Sequence, residues 1–439
     1  MNVVTRIAPS PTGQMHIGTV RTALFNYLFA KKHGGTFFVR IEDTDKARNK
    51  PEWVDLIGED FAWVGLDPDA RYVQSDHLAR HKELLQKLVD SGSAYISHEA
   101  EGENREVVRF KNPNTVMVFQ DLVRGEVRVD TTDLGDFIVA RNINDPLYHF
   151  AVVVDDGDSG VTHVIRADEH ISNTPRQILL LEALGFKRPI YAHIPLILAK
   201  DRSKISKRKH PVSVEHYRAE GFLPEAIINY LALLGWNPGT EQEIFSLDEL
   251  VQAFDIAQVQ KSGAIFDEVK MRWFNREYML RMDPAAFWEH AEEFLSVETV
   301  TMLDAESKWK DVIPVMRDRA STFGDVKLAD EAGEFALFYK APTVDPTHLP
   351  WKDESRGATK CRLERVLELL EAIPDPWTTE SVKAAVWPLA EAEGKGQVLW
   401  PFRVALSGRD KSPDPFTISA IIGRDETSSR LRSALSALS

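Results

Sequence analysis

The chain has 439 residues, and 53 Lys and Arg against 67 Asp and Glu give it a formal net charge of -14 at pH 7. Its hydrophobic content of 43% and charged content of 27% are ordinary for globular domains, and its length suggests roughly three of them. The longest apolar runs, such as 178–181 and 194–199, are far shorter than a membrane span, and a single cysteine, Cys361, excludes internal disulfides and multi-cysteine zinc sites.

The first third of the chain alternates between strand and helix patterns. A β-branched run begins this region, and glycines follow the ends of its helical patterns. The order predicts a βαβ unit at the start of an α/β domain. The predicted elements are strands at 3–7 and 36–41 and helices at 19–32, 51–64 and 77–89.

The turn between the first strand and the first helix reads Pro-Ser-Pro-Thr-Gly-Gln-Met-His-Ile-Gly over 9–18. Pro9 stiffens the turn, while Gly13 and Gly18 remove side chains where a backbone must come close to a ligand. His16 can donate hydrogen bonds to phosphate oxygens at a helix N-terminus, although an isolated histidine there is more often only a polar turn residue. Open α/β sheets bind ligands at this edge.

The middle of the chain contains an insertion and then a return to the α/β pattern. From 95 to 154 short β-rich pieces alternate with turn residues, which indicates an inserted subdomain. After it, Pro175 and Gly185 delimit a helix between two apolar strands. The predicted strands are 107–110, 115–119, 126–129 and 137–140 in the insertion, then 161–166 and 191–198 around a helix at 174–184.

A basic segment follows the last of these strands. Residues 200–209 carry six cations against one anion, Asp201, and 204–208 reads Lys-Ile-Ser-Lys-Arg. So concentrated a positive charge in an acidic chain would neutralise charge that develops on a transferring phosphoryl or nucleotidyl group. Together with the turn at 9–18, the segment predicts a two-part clamp for a nucleoside triphosphate.

Beyond the basic segment strand signals almost disappear, and about 200 residues read as helices. An α/β catalytic body followed by so long a helical region is better explained by a long partner than by a small substrate alone. The acidic balance argues against indiscriminate nucleic-acid binding, but it allows a local basic surface for one RNA.

Several ordered motifs carry a resemblance over nearly the whole length. The chain resembles a bacterial glutamyl-tRNA synthetase, which is a class I aminoacyl-tRNA synthetase. The matching segments are Arg6-Ile7-Ala8-Pro9-Ser10-Pro11-Thr12-Gly13, 16–19, Val39-Arg40-Ile41-Glu42-Asp43-Thr44-Asp45, 148–156, Val164-Ile165-Arg166-Ala167-Asp168-Glu169-His170, 204–208, 231–236 and 403–409.

The resemblance implies a Rossmann-like α/β catalytic domain with an inserted α+β connective subdomain, followed by all-α stem-contact and anticodon-binding domains. The implied domains are the first part of the catalytic domain at 1–94, the acceptor-binding insertion at 95–154, the second part of the catalytic domain at 155–200, the basic loop with the stem-contact domain at 201–283, and the anticodon-binding domain at 284–439.

The resemblance also implies formation of glutamyl adenylate from L-glutamate and ATP, followed by transfer to the terminal adenosine of tRNA-Glu. Whether tRNA-Gln is also a substrate stays open. Mg²⁺ is expected with the triphosphate rather than in a protein cage. The implied catalytic residues are His16, Lys204 and Lys207, and the implied ATP-binding residues are Pro9, Gly13, His16, Gly18, Leu196, Ile197, Lys204, Ser206 and Lys207.

Glutamate carries two carboxylates and one ammonium, so its pocket should contain two cations and one anion. Arginine suits the carboxylates because its planar fork binds them bidentately. An internal ion pair between Arg6 and Glu42 is the competing explanation for those two residues, and which arginine would bind which carboxylate stays open. The glutamate-binding residues implied by the resemblance are Arg6, Ala8, Ser10, Glu42, Tyr148 and Arg166.

The tRNA contacts follow from the resemblance alone. For each arginine taken alone, a solvated helix charge is the stronger interpretation, and Asp168 and Glu169 could equally be acids at a helix N-terminus. The insertion is short and lacks the zinc ligands that many relatives carry, so neither zinc nor another protein-bound metal is expected. The implied tRNA-binding residues are Asp43, Glu169, Arg272, Arg317 and Arg319.

Four alternatives remain. A nucleoside-glutamylating paralogue normally ends after the catalytic body, and a glutaminyl-tRNA synthetase would carry C-terminal β-barrels. A small-molecule adenylating enzyme with a similar phosphate clamp would not explain the helical half. A non-catalytic tRNA-binding scaffold would not need the charged residues of the two motifs. We expect a monomer with no membrane association, and we expect a cytoplasmic protein because Arg6 is followed by a proline-rich turn rather than an apolar signal segment.

Overall fold

The computed structural model describes residues 2–44, 48–99, 106–205 and 212–439. The chain divides into two compact units, 1–278 and 279–439. The first contains the parallel strands and the insertion, and the second is built from helices.

The N-terminal part of the first unit is a three-stranded parallel sheet in the order β1-β2-β3. Strands β1 and β2 are almost entirely buried, as is usual for parallel sheets, whereas the edge strand β3 is more exposed. Helix α1 lies in the core, where Val20, Leu24, Phe25 and Leu28 are fully buried. The elements are β1 (Val4–Ile7), α1 (Ile17–Lys32), β2 (Thr36–Ile41), α2 (Pro51–Trp63), β3 (Ala70–Val73) and α3 (Leu78–Asp90).

The insertion is β-rich, as its sequence predicts. Strands β4, β5, β8 and β9 form an antiparallel sheet, while β6 and β7 form a separate antiparallel ribbon. The elements are β4 (Ala94–His98), β5 (Glu106–Phe110), β6 (Val116–Asp121), β7 (Gly125–Asp130), β8 (Phe137–Asn142) and β9 (Asp145–Pro146).

The α/β pattern then resumes with a helix that the sequence analysis did not assign, Tyr148–Asp158, so the predicted boundary at 154 falls inside a helix. Its buried face packs with Ile178 and Leu180 in a second core cluster. The single strand predicted at 191–198 is two strands, separated by Pro195, which has no N–H to donate. The elements are α4 (Tyr148–Asp158), β10 (His163–Ala167), α5 (Thr174–Leu184), β11 (Ile190–Ile194) and β12 (Ile197–Leu198).

Backbone contacts join the two parallel sheets to each other and to the β6–β7 ribbon. Thr162, just before β10, exchanges hydrogen bonds with Val4 of β1, so the two parallel sheets lie edge to edge. The ribbon docks on the other side, where Asp121 of β6 pairs with Tyr191 of β11. Because β1, β2, β10 and β11 are parallel, their carboxyl ends open on one side of the molecule.

Helices complete the first unit around a short parallel pair formed by β12 and β13. Ser246 caps α8 through a capping box with Glu249. The elements are α6 (Val214–Ala219), α7 (Pro224–Leu233), α8 (Leu247–Ala253), β13 (Ala264–Ile265) and α9 (Glu268–Arg281).

The described part of the second unit contains helices without a strand. Phe287 and Phe323 pack with ring centroids 5.1 Å apart in its first half. In its second half Leu363, Val398 and Leu431 are fully buried. The elements are α10 (Pro284–Glu292), α11 (Val297–Asp304), α12 (Trp309–Arg319), α13 (Phe323–Glu331), α14 (Arg356–Glu371), α15 (Thr379–Glu393), α16 (Lys395–Ser407), α17 (Pro415–Ile422) and α18 (Arg424–Ala437).

Candidate active site

A cleft of about 490 Å³ opens at the carboxyl ends of the parallel strands in the first unit. Residues from both sequence motifs line it, together with the start of α4 and the turn after β11. The predicted residues that the cleft brings together are Arg6, Ala8, Pro9, Ser10, His16, Gly18, Glu42, Tyr148, Arg166, Glu169, Leu196, Ile197 and Lys204.

His16 caps the N-terminus of α1, and its Nδ1 accepts a hydrogen bond from the Gly18 amide at 2.9 Å. The neutral ring therefore carries its proton on Nε2. A Cβ at position 18 would lie 3.1 Å from that Nδ1, so the glycine allows the imidazole to pack against the helix start. The Nε2–H donor of His16 therefore lies beside the positive end of a helix, an arrangement that favours an anionic ligand.

The basic segment begins as a hairpin on β12. The amide of Ile205 donates to the carbonyl of Ile197 at 3.3 Å, and the backbone of Lys204 forms an antiparallel β-bridge with Leu198. The Lys204 ammonium pairs with Glu169, and both side chains are exposed. This hairpin brings a lysine to the mouth of the cleft.

The chain returns from the basic segment directly beside the first motif. Ile17 donates its amide to Val212 at 2.9 Å, and Val214 donates to Met15 at 3.0 Å. Ser206 and Lys207 lie outside the described residues. Among the described residues of the two motifs, His16 and Gly18 from the first and Lys204 and Ile205 from the second line the same cleft.

Below the cleft a buried network of ion pairs replaces the Arg6–Glu42 pair that the sequence suggested as an alternative. Arg6 binds Asp156 through Nε at 3.0 Å and a terminal nitrogen at 3.1 Å. Arg40, which is fully buried, contacts Asp156 at 2.5 Å and Glu42 at 3.1 Å. It also lies 3.8 Å from Asp155.

The network sets the protonation of its acids. Burial alone would raise the pKa of Asp156, but Arg6 and Arg40 outweigh it and lower that pKa to about 2. Burial raises the pKa of Glu42, although Arg40 opposes the shift. Asp156 therefore stays ionised. Glu42 faces the cleft, where a further cation would stabilise its charged form.

Arg166 lies on β10 and is buried at the other side of the cleft. Its Nε donates to Nε2 of His193 at 3.2 Å, and a terminal nitrogen donates to the Thr174 hydroxyl at 2.8 Å. Burial lowers the pKa of Arg166, and within the described residues no carboxylate forms an ion pair with it. A buried guanidinium whose partners are neutral can bind a carboxylate of a ligand.

Tyr148 and His170 close the same end of the cleft. The Tyr148 hydroxyl lies 3.5 Å from Nδ1 of His170. Burial and the positive charge of Arg166 lower the pKa of His170 to about 4. The hydroxyl and the neutral imidazole are polar groups without charge beside Arg166.

Several predicted residues lie elsewhere. Gly13 is not among the lining residues, and Asp43 accepts hydrogen bonds from the amide and hydroxyl of Ser75 at 2.9 and 2.7 Å. Arg272 lines a second cavity of about 520 Å³ in the first unit. These observations leave the roles of Asp43 and Arg272 in tRNA binding as predictions.

Two predicted tRNA-binding arginines belong to the second unit. A terminal nitrogen of Arg317 donates to the Met282 carbonyl at 2.6 Å, and Arg319 pairs with Glu334 at 2.8 Å. Glu169, which was also assigned to tRNA, begins a short 3-10 helix together with Asp168 and lines the cleft. Binding of tRNA by these residues stays a prediction.

Among the described residues no group of three or more histidine, cysteine or acidic side chains could hold a metal ion. The same residues contain no helix that is long and apolar enough to cross a membrane.

Sequence reasoning missed Arg40, Asp155 and Asp156 as site residues, although the matching motifs contained all three. The available signal was a pair of consecutive acids directly after an apolar run. On α4 the residues 148, 152 and 156 share one face, which carries Tyr148, Val152 and Asp156 from the cleft to the network.

Family models match both units. The model described as tRNA synthetases class I (E and Q), catalytic domain, matches residues 2–106 and 96–273, and the model described as anticodon binding domain matches residues 286–435. The basic hairpin and the cleft lie within the first match.

Relatives and solved structures match over the full length. Glutamate–tRNA ligase 1 of Alkalilimnicola ehrlichii is 37% identical over 99% of this chain and 98% of its own, and glutamate–tRNA ligase of Aquifex aeolicus is 37% identical over 100% and 99%. A crystal structure of a glutamate tRNA ligase from Elizabethkingia meningosepticum in complex with its amino acid superposes with a TM-score of 0.87 at 31% identity, covering 100% of both chains. The two family models and these full-length matches agree: the chain belongs to the glutamyl-tRNA synthetases of class I.

Proposed function

We propose that this chain activates L-glutamate with ATP and transfers the glutamyl group to the terminal adenosine of tRNA-Glu. In the first step a substrate carboxylate oxygen attacks the α-phosphorus, which forms glutamyl adenylate and releases pyrophosphate. In the second step a ribose hydroxyl of the tRNA attacks the acyl carbon and releases AMP. Both steps depend on positioning and charge stabilisation.

One cleft that joins the His16 turn to the Lys204 hairpin supports this proposal most directly. His16 would donate from Nε2 to the triphosphate, since its Nδ1 is occupied by the Gly18 amide. Lys204 would exchange Glu169 for a phosphate, and an exposed ion pair of this kind is worth at most about 1 kcal/mol. Lys207 and Ser206 would act from the same segment.

The adenine would lie against the turn after β11. Leu196 and Ile197 line the cleft there. Their carbonyls accept hydrogen bonds from Ala264 at 3.0 Å and Ile205 at 3.3 Å, which holds this backbone in a fixed position. Gly18 would leave space for the nucleotide beside the helix start, and Pro9 would form the facing wall.

Mg²⁺ would enter as the ATP complex. The described carboxylates that line the cleft are Glu42 and Glu169, and each is paired with a cation. These residues do not form a cage of carboxylates, so the phosphate oxygens and water would supply the Mg²⁺ ligands.

The amino-acid end of the cleft suits glutamate. Arg166 would bind one carboxylate because the described protein offers it none, while Arg6 would bind the other with part of its charge offset by Asp156. The buried network contains three carboxylates, those of Glu42, Asp155 and Asp156, but only the two guanidinium groups of Arg6 and Arg40 among its arginines. This excess of negative charge would favour the ammonium group of the substrate beside Glu42. Tyr148, Ser10 and Ala8 would complete the pocket.

The helical second unit would bind the anticodon arm, because residues 286–435 match an anticodon binding domain. It would use cations such as Arg317 and Arg319, while Asp43, Glu169 and Arg272 would contact the tRNA from the first unit. A paralogue that glutamylates a nucleoside would have no use for this second unit. We also propose that the protein acts in the cytoplasm as a monomer.

The direct test is aminoacylation of purified tRNA-Glu and tRNA-Gln with labelled glutamate. The expected result is ATP-dependent labelling of the 3′ end of tRNA-Glu with release of pyrophosphate. Labelling of tRNA-Gln as well would identify an enzyme that accepts both tRNAs. Absence of label on either tRNA would contradict the proposed activity.

The same assay tests the pocket. Arg166→Gln should raise the KM for glutamate by at least about 30-fold, because a buried charge pair is worth about 2–5 kcal/mol. The KM for ATP should stay within about twofold, as a residue of the amino-acid end predicts. Arg188→Gln is the matched control, since Arg188 pairs with Glu182 at the surface. Equal losses for both substrates would contradict the assignment.

A further inference from the structure

A buried chain of hydrogen bonds leads from the inserted ribbon to Arg166. Asp121, at the end of β6, accepts from Nδ1 of His193 at 2.6 Å. Nε2 of His193 accepts from Nε of Arg166 at 3.2 Å and lies 3.0 Å from the Thr174 hydroxyl. Asp121, His193 and Thr174 are 4%, 0% and 0% exposed, so water cannot replace these contacts.

The donors around Asp121 fix its charge. Besides the imidazole, Asp121 accepts from the amides of His193 at 3.0 Å, Val123 at 2.9 Å and Arg124 at 2.8 Å. Burial would raise the pKa of Asp121, but the hydrogen bond from His193 and those amides together lower it. Asp121 is therefore an anion that can only accept.

The charge of Asp121 in turn fixes the tautomer of His193. Burial is the largest influence on His193 and lowers its pKa, against the hydrogen bond to Asp121, which raises it. A neutral imidazole that donates from Nδ1 to Asp121 must present the lone pair of Nε2 to Arg166. This lone pair accepts the Nε–H of Arg166 and holds the guanidinium plane.

We propose that Asp121 and His193 are positioning residues that hold the Arg166 guanidinium with its remaining donors directed at a substrate carboxylate. The proposal rests on the proposed role of Arg166 in glutamate binding. It gives the inserted ribbon a part in amino-acid recognition, since Asp121 enters the catalytic sheet through its pairing with Tyr191.

Asp121→Asn is the most direct test because it keeps the shape of the side chain. The asparagine oxygen would accept from the backbone amides, and its NH₂ group would face Nδ1 of His193. The imidazole would then carry its proton on Nε2, where it would oppose the Nε–H of Arg166. A carboxylate that fixes a histidine tautomer in this way has a large effect in serine proteases.

The expected result for Asp121→Asn is a KM for glutamate raised about tenfold or more, because a hydrogen bond to a charged group is lost. The KM for ATP and the unfolding midpoint should change little. The matched control is Asp130→Asn on the neighbouring strand β7, where the aspartate only caps the turn at Thr132. A KM for glutamate unchanged from wild type in Asp121→Asn would overturn the proposal.

Histidine variants supply a rescue test. His193→Phe removes both nitrogens and should raise the KM for glutamate as Asp121→Asn does. His193→Gln can place an amide oxygen near the position of Nε2 and should recover part of the affinity. His163→Gln, at a buried histidine of strand β10 that does not line the cleft, is the control. Equal effects of the Phe and Gln variants would contradict an acceptor role.

A spectroscopic measurement separates positioning from a general loss of packing. The ¹⁵N shifts of the His193 ring should report a protonated Nδ1 in the wild type and a protonated Nε2 in Asp121→Asn. The same tautomer in both proteins would overturn the proposal. If Arg166→Gln leaves glutamate affinity intact, the proposed pocket fails instead, and the two failures are therefore distinguishable.

Discussion

Arg40 contacts three carboxylates of the buried network beneath the cleft. It is fully buried, and its guanidinium contacts Asp156 at 2.5 Å and Glu42 at 3.1 Å. A buried guanidinium between carboxylates supports folding mainly because its removal leaves those carboxylates uncompensated. Its position also holds Glu42 at the edge of the cleft.

We expect Arg40→Met to lower the free energy of unfolding by about 3–5 kcal/mol, because Asp156 and Glu42 lose a buried partner. Arg80→Met is the matched control, since Arg80 pairs with Asp158 and Glu83 at the surface and should contribute less than about 1 kcal/mol. Urea denaturation of both variants measures the difference. Similar losses in the two variants would show that burial does not set the strength of the Arg40 contacts.

His149 makes stability depend on pH. Burial and the positive charges of Arg176 and Arg166 lower its pKa from 6.5 to about 4 in the folded protein. Between these values the unfolded chain binds more protons than the folded chain, so stability falls as the pH drops from about 6.5 to about 4. His149→Phe should reduce this decline, as measured by urea denaturation at several pH values. An unchanged decline would contradict the buried, neutral state of His149.

At the scale of elements, the turn before α6 connects the basic segment to the first motif. Ser213 caps α6, and the next residue, Val214, donates its amide to Met15 rather than to the helix. The first position of a helix tolerates proline, so this one hydrogen bond can be removed without breaking α6.

We expect Val214→Pro to lower kcat/KM for ATP about fivefold, the effect of losing a hydrogen bond of about 1 kcal/mol. Leu247→Pro is the control because Leu247 also follows a capping serine, Ser246, but does not share the hydrogen bond that Val214 donates to Met15 of the first motif. Steady-state aminoacylation measures the effect, and thermal unfolding checks that both variants are folded. Equal kinetic losses would mean that the bond to Met15 does not support the nucleotide site.

At the scale of the whole molecule, each unit has its own buried side chains. Phe287, Leu363, Val398 and Leu431 are buried within 279–439. A helical unit of this size that covers its own core is expected to fold alone.

The fragment 283–439, which begins at the Asp283 cap of α10, should therefore unfold cooperatively with a helical circular dichroism spectrum. Urea denaturation followed by circular dichroism and by tryptophan fluorescence should give coincident transitions. Transitions that do not coincide, or a fragment that binds hydrophobic dyes, would contradict an independent core.

Local sequence signals predicted the elements whose limits are set by neighbouring residues. Helix α5 begins and ends where the sequence indicates, because Pro175 suits a first turn and Gly185 adopts φ 79° at its end. Helix α4 was missed because its buried run from Phe150 to Val154 contains three consecutive β-branched valines and is preceded by strands. The fold class was confirmed by the matched family models.

The site was predictable only as far as its residues lie in local motifs. The turn at 9–18 and the basic segment could be recognised because proline, glycine and lysine have distinct local effects. Asp121 could not be connected with His193, which is 72 residues away and approaches it only through strand pairing. Contacts of this range depend on which strands become neighbours.

The pairing of β6 with β11 also limits how far the enzyme can be reduced in size. Excision of the whole insertion would leave only parallel strands in the sheet, but it would also delete the Asp121 carboxylate that His193 contacts. A shortened version must therefore retain the ribbon from Val116 to Asp130, whatever other part of the insertion is removed.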